Sequence, residues 1–256
     1  MTKTISKPEG AIDLFSSQGF IARLDDNCAG SDLTVVNAAR VSFAKQSYEL
    51  DKNDEKLLNF LAKHKHMSPF RHPQVSFHLK APEAIMRQAY KHVVGVDWTS
   101  GAPAIKDHAW NEISGRYIVY DSVYEPSEFR PQSDDNKQCS EDGDLSDVRI
   151  EGRIKDLGLD RGATVRDVYE HAIDTCRVAY KLLLDEGVSK EQARLLMPFA
   201  TFTEVIWTCS LEAAAHFVNL RTHAGAQWEI REMADAVDRL CRERFPKSFE
   251  ALINNL

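Results

Sequence analysis

The chain has no run approaching the roughly 20 apolar residues that span a bilayer. Its first residues, Met1-Thr2-Lys3-Thr4-Ile5-Ser6, lack the apolar stretch of a secretory leader, so a cytoplasmic globular protein is expected. It also lacks a basic excess: 32 lysines and arginines stand against 39 aspartates and glutamates, a net charge of −7. Nucleic-acid binders usually carry a basic stripe, so neither nucleic acid nor membrane is expected as a partner. A small anionic ligand, which needs only a local arginine cluster, stays open. Cysteine is sparse, and Cys28, Cys139, Cys176, Cys209 and Cys241 are odd in number, widely spaced and form no C-x-x-C. They read as free thiols in a reducing compartment, not as a disulfide frame or a zinc site. No internal repeat is visible.

What is present suffices for a core, since 43% of the 256 residues are apolar. Phe20–Leu24 and Val75–Leu79 alternate with period two and read as half-buried strands. Leu57, Leu58, Phe60 and Leu61 mark a helix over 54–64, and Ile85, Met86, Ala89, Tyr90 and Val93 mark another over 82–94, opened by Pro82. An apolar stripe from Val165 to Leu183 predicts about five helical turns ended by Gly187. Helices over 203–220 and 226–241 follow. The fold class expected is α+β in a single domain, with an antiparallel or mixed sheet early and a mainly helical C-terminal half. The stretch 125–160 holds eleven acidic and five basic residues with scattered Gly and Pro, and reads as a partly mobile surface insertion.

Four segments could carry chemistry. In a helix over 82–94, Arg87 and Lys91 share one face and Gln88 and His92 another, although a solvated polar face explains that spacing as well. In Asn111-Glu112-Ile113-Ser114-Gly115-Arg116-Tyr117, a Ser-Gly pair can expose backbone N–H groups beside a guanidinium, a common way to hold phosphate; an ordinary turn into a strand over 117–120 fits too. Arg194 in Gln192–Pro198 and Arg221 in Phe217–Arg221 sit among apolar neighbours. A buried guanidinium keeps its charge and needs an anion or several acceptors. Internal salt bridges would satisfy either one, whereas both together with Arg116 in an acidic chain favour a shared anionic ligand. His64, His66 and His72 lack a zinc-site spacing, so no metal is expected. Cys209, beside Ile206 and Trp207, reads as an inert core thiol in a buried helix.

In their order these segments resemble the flavin-dependent thymidylate synthases. The matching stretches are Ala38-Ala39-Arg40-Val41-Ser42-Phe43, His64-Lys65-His66-Met67-Ser68-Pro69-Phe70 with His72, Arg87-Gln88, Asn111-Glu112-x-Ser114-Gly115-Arg116-Tyr117 and Ala193-Arg194-x3-Pro198, then Trp207-Thr208, His216-Phe217, Leu220-Arg221 and Ala226-Gln227-x-Glu229-Ile230. The resemblance implies a thymidylate synthase-complementing type of fold and a homotetramer whose active sites are shared between subunits. It implies FAD, and conversion of dUMP to dTMP with methylenetetrahydrofolate as carbon donor and NADPH as reductant. By the same carry-over Gln88, Lys91, Glu112, Ser114, Gly115, Arg116, Arg194 and Arg221 would bind dUMP. Arg221 would be the catalytic group, facing the pyrimidine edge as N3 loses its proton. Ser68, Lys91, His92, Glu112, Ser210 and His216 would bind FAD, and His66 would lie near the flavin ring and folate.

The sequence also departs from the family. Its Arg-His-Arg reads Lys91-His92-Val93, and twenty residues, 94–113, separate that triplet from Ser114. Its Asn-x-Arg reads Ser210-Leu211-Glu212, and a histidine expected after Leu-Arg falls at Gly225, with His223 out of register. Two cations that would neutralise a flavin pyrophosphate are thus replaced. The insert 95–110 either folds over the flavin, with Lys106 or His108 as substitute cation, or forms a surface loop with no ligand contact. Two alternatives keep the nucleotide site and change the rest: hydroxymethylation instead of methylation, or a nucleotide-binding protein without flavin.

Overall fold

The computed structural model describes residues 6–92, 108–152 and 154–256, with His108 as backbone alone. Five strands, β1 (Ile12–Leu14), β2 (Gly19–Arg23), β3 (Gln74–Pro82), β4 (His108–Glu112) and β5 (Phe202–Ser210), form an antiparallel sheet in the order β1-β2-β3-β5-β4. β3 and β5 pair over nine positions, from Gln74 opposite Ser210 to Pro82 opposite Phe202. Alternation sorts the two faces. One stacks Phe77 on Trp207 with centroids 5.4 Å apart. The other joins Ser76 to Thr208 at 2.8 Å and His78 to Glu204 at 3.1 Å.

The helices are α1 (Asp32–Arg40), α2 (Lys52–Lys63), α3 (Glu83–Tyr90), α4 (Val165–Asp185), the single turn α5 (Lys190–Ala193), α6 (Leu211–Arg221), α7 (Trp228–Arg244) and α8 (Pro246–Ile253). Sheet and helices bury one connected apolar cluster running from Leu14 to Leu252. Among the described residues, no helix is long and apolar enough to cross a membrane. α4 ends where expected, at Gly187, whose φ of +84° only glycine adopts cheaply. Of its long apolar stripe, only Ile173 and Tyr180 are buried.

Four expectations are corrected. Residues 202–210 are strand, not helix: Thr203, Val205, Trp207 and Cys209 are buried in alternation, and β-branched and aromatic residues suit the pleat. Helix starts only at Leu211, where the Ser210 hydroxyl accepts the Ala213 N–H at 3.2 Å. Cys209 is therefore a buried strand thiol. Residues 117–120 are not strand: the Tyr117 and Ile118 N–H groups return to the Ser114 carbonyl at 2.8 and 3.1 Å, closing a turn after β4. The sheet is not an early feature alone, because β5 is one of its interior strands. The helix expected over 82–94 ends already at Tyr90, capped by Lys91, and Val93 lies outside the described residues, as do Trp98 and Lys106 of the insert.

Candidate active site

α3 carries functional side chains on two flanks. It starts straight out of β3, with Ile85, Met86 and Ala89 buried beneath it. Glu83 and Arg87, four residues apart, pair at 3.7 Å on one flank. Gln88 lies on another, with His92 two residues beyond the helix end.

The first flank opens on a cleft of about 550 Å³ lined by Glu83, Arg87, Tyr120, Arg194 and the segment 197–203. Gly115 is buried at its edge. A Cβ there would lie 2.4 Å from the Tyr120 ring and 3.1 Å from Cδ of Arg194, so only glycine lets the 114–116 turn close against Arg194. The amides expected to be exposed are engaged inside the turn: Gly115 N–H donates to the Tyr120 hydroxyl at 3.2 Å and Arg116 N–H to Ser114 Oγ at 3.3 Å. The outward donors are therefore the guanidinium of Arg116, which is exposed, and that of Arg194 in the cleft. Arg194 was expected to be buried among apolar neighbours; instead Leu195 and Phe199 are 78% and 65% exposed and rim the cleft.

An adjoining cleft of about 520 Å³ joins Glu83, Arg87 and Lys91 to Trp110 and Glu112. Glu112 accepts from Thr203 Oγ1 at 2.7 Å and from Trp110 Nε1 at 3.3 Å. Burial, with the neighbouring Glu112 carboxylate second, raises the pKa of Glu83, so these two acids share charge reluctantly.

The second flank holds Arg221, the last residue of α6. Its Nε–H donates to His92 Nε2 at 2.5 Å. His92 packs edge-on against Phe217 at 5.1 Å and near His216 at 6.3 Å. Burial first, then Arg221 and His216, pushes the His92 pKa down to about 4, so the imidazole is neutral. Burial likewise lowers the His216 pKa. Gln88 donates to Gln227 Oε1 at 2.5 Å.

Further along α6, Glu212 is buried and bound by Arg71, which ends the 3-10 turn begun by Ser68. Glu212 stands where the resembled family has an arginine, so a guanidinium does reach this place, carried by position 71. Ser68 is exposed, whereas Ser210 is fully buried with its hydroxyl holding the helix start. His66 is exposed and stacks near Phe60 at 6.3 Å. His108 falls in β4 opposite Cys209. Among the described residues no group of acids, histidines and cysteines could hold a metal ion.

Arg116, Arg194, Glu112 and Gly115 are thus gathered at one place, and Gln88, His92, His216 and Arg221 at another. Among the described residues Arg221 does not line the Arg194 cleft. Glu83, Tyr120 and Gln227 were given no role from sequence. Glu83 left a readable signal in its i,i+4 spacing to Arg87, and Gln227 in the matching stretch Ala226–Ile230, whereas Tyr120 left none.

Residues 23–247 match the family model described as thymidylate synthase complementing protein. The flavin-dependent thymidylate synthase of Thermus thermophilus is 34% identical over 93% of this chain and 77% of its own length. That of Kosmotoga olearia is 33% identical, over 93% and 91%. A solved structure of the UMP/dUMP methylase PolB from Streptomyces cacaoi, bound with 5-Br dUMP, superposes with a TM-score of 0.70 at 26% identity, covering 95% of this chain and 97% of that one.

Proposed function

The chain belongs to the thymidylate synthase complementing family, and from that premise we propose that it is a flavin-dependent thymidylate synthase. It converts dUMP to dTMP with methylenetetrahydrofolate as carbon donor and NADPH as reductant, as a cytoplasmic single-domain homotetramer whose active sites are shared between subunits. The observation that carries this reading is the separation of the site residues into two clusters, each incomplete.

The Arg116–Arg194 cluster offers two guanidinium groups and no pyrimidine contact, which suits a nucleotide phosphate. The Arg221–His92–Gln88 cluster offers a guanidinium and an amide and suits a uracil edge. Two features support a second copy as the bridge between them. The Arg194 cleft is rimmed by exposed Leu195 and Phe199, and the apolar stripe of α4 leaves Val178 and Leu182 59% and 58% exposed.

Arg221 spends its Nε–H on His92, and among the described residues its terminal amino groups take no hydrogen bond. They are available to the O2–N3–O4 edge of uracil, where negative charge develops as N3 gives up its proton and C5 becomes nucleophilic. A neutral His92 leaves that positive charge undiluted. Preorganised donors in a water-poor site act most strongly on such charge.

The residues also suit FAD. The turn of Ser68 and the start of α6 lie against each other through the Arg71–Glu212 ion pair, so the positive end of a helix, which favours a pyrophosphate, adjoins this turn. Ser68, Lys91, His92, Glu112 and His216 would hold the cofactor with Arg71, Ser210 would support them through the α6 cap, and His66 would stand by the ring. Bound there, FAD supplies the hydride.

Incubating the purified protein with FAD, dUMP, methylenetetrahydrofolate and NADPH tests the proposal. The expected product is dTMP. 5-Hydroxymethyl-dUMP would replace the methyl transfer with hydroxymethylation, and no flavin absorbance after incubation with FAD would leave a nucleotide-binding protein without the cofactor.

A further inference from the structure

The acidic stretch 125–160 has no part in the reading above, yet a continuous run of side-chain hydrogen bonds leads from it to Gln88. Arg130 Nη2 donates to Glu229 Oε1 at 2.5 Å. The other carboxylate oxygen, Oε2, accepts from Gln227 Nε2 at 2.9 Å. Gln227 Oε1 then accepts from Gln88 Nε2 at 2.5 Å. The first pair is nearly withdrawn from water, with side chains 14% and 7% exposed. Arg130 also lies over the Trp228 ring at 5.0 Å, and Cys139 Sγ donates to the Gly225 carbonyl at 3.2 Å, so the stretch grips the loop between α6 and α7 at two further points.

The chemistry of this run dictates a direction. A carboxylate paired with Arg130 is ionised and can only accept. Gln227 must therefore turn its amino group toward Glu229 and its carbonyl toward Gln88. Gln88 must then give one amide N–H to Gln227, which turns its carbonyl oxygen away from Gln227 as the acceptor presented to a ligand. Without the fixed charge at the start, both amides could flip.

We propose that Arg130 is a positioning residue for nucleotide binding. Through Glu229 and Gln227 it locks the Gln88 amide so that the site shows an acceptor, matched to a donor on the uracil nucleotide. The acidic insertion thereby delivers, from behind the site, the cation that orients a substrate contact. The inference rests on the reading of Gln88 as a dUMP contact.

A double-mutant cycle on the full-length protein tests it, with dUMP binding read by titration calorimetry and folding by thermal melting. Arg130→Met and Gln88→Ala are measured singly and together. Arg130→Met is expected to weaken dUMP binding about tenfold in the parent and negligibly in the Gln88→Ala background, since coupled residues are not additive. Arg130→Met removes half of a buried pair and can unfold the chain. Gln227→Met, at an exposed position, is the second route and is expected to match it. A merely structural role for Arg130 would weaken binding equally in both backgrounds, and that result, or unchanged affinity in Arg130→Met and Gln227→Met, overturns the proposal. If Gln88→Ala itself leaves dUMP affinity unchanged, the assignment of Gln88 to the nucleotide fails and the proposal falls with it.

Discussion

Arg221 and His92 meet through a 2.5 Å hydrogen bond from Nε of one to Nε2 of the other, a contact that exists only while the imidazole is neutral. It joins the end of α6 to the end of α3 and commits the ring to the tautomer with its proton on Nδ1. Burial, Arg221 and His216 together keep the ring in that form down to about pH 4.

The pH dependence follows with a definite sign. His92 has a folded pKa below its unfolded value of about 6.5, so between about 4 and 6.5 the unfolded chain binds the extra proton. The contribution of the contact is fully present above pH 6.5 and is lost as pH falls toward 4. An NMR titration of the histidine ring is expected to place His92 near 4. A midpoint between 6 and 7 contradicts the arrangement. Urea midpoints recorded across this range should fall less steeply in His92→Gln than in the parent.

Arg221→Ala is expected to lower kcat by about 10²–10³, the usual loss when one preorganised donor to developing charge is removed, far beyond the small fall in melting temperature that losing the His92 contact brings. Arg221→Lys should recover little, because an ammonium cannot hold His92 and the uracil edge with one rigid fork. Single-turnover flavin oxidation is the readout.

Gly115→Ala puts a methyl 2.4 Å from the Tyr120 ring and 3.1 Å from the Arg194 stem. Overpacking of that kind costs about 1–3 kcal/mol, measured by urea unfolding. The dUMP affinity should fall with it, because Arg194 is displaced. The double substitution Gly115→Ala/Tyr120→Ala should restore much of the affinity, whereas a methyl tolerated without cost would contradict the close approach.

Arg71 and Glu212 are expected to behave as an exchangeable pair. Arg71→Glu and Glu212→Arg alone each place like charges together and should cost stability and FAD binding. The double exchange should regain most of the stability, because the pair is re-formed with its polarity reversed. Flavin absorbance after gel filtration reports the cofactor separately. Two singles without effect would show that the pair supports neither the fold nor FAD.

Much of the fold was legible because α4 and α7 each keep one apolar face in period, which survives any tertiary context. The strand over 202–210 was not. Its run Val205-Ile206-Trp207 puts apolar residues at successive positions and leads directly into Leu211 and Ala213–Ala215 of a helix buried on nearly every side, so the period of two is blurred and no break marks the change of element. The turn after Ser114 hid similarly, since Tyr117, Val119 and Tyr120 look like strand residues although the first two are largely exposed. Arginines 116, 194 and 221 were legible as charges that need an anion. Their partition into two clusters was not, because it depends on contacts such as Gln88 to Gln227 and Arg71 to Glu212, separated by 139 and 141 residues. Glu212 read in the sequence only as the loss of a cation, and that Arg71 brings a guanidinium back to it was not legible.

The shared site is tested most directly by subunit mixing. Arg194→Ala and Arg221→Ala, each inactive alone, are co-expressed, purified as mixed oligomers through two different tags and assayed for dTMP formation. If one subunit supplies Arg194 and another Arg221, random assembly of a symmetric oligomer regenerates intact sites and returns about a quarter of the parent activity. Mixed oligomers that stay as inactive as either parent variant would place both arginines of a site in one chain, contradicting the account.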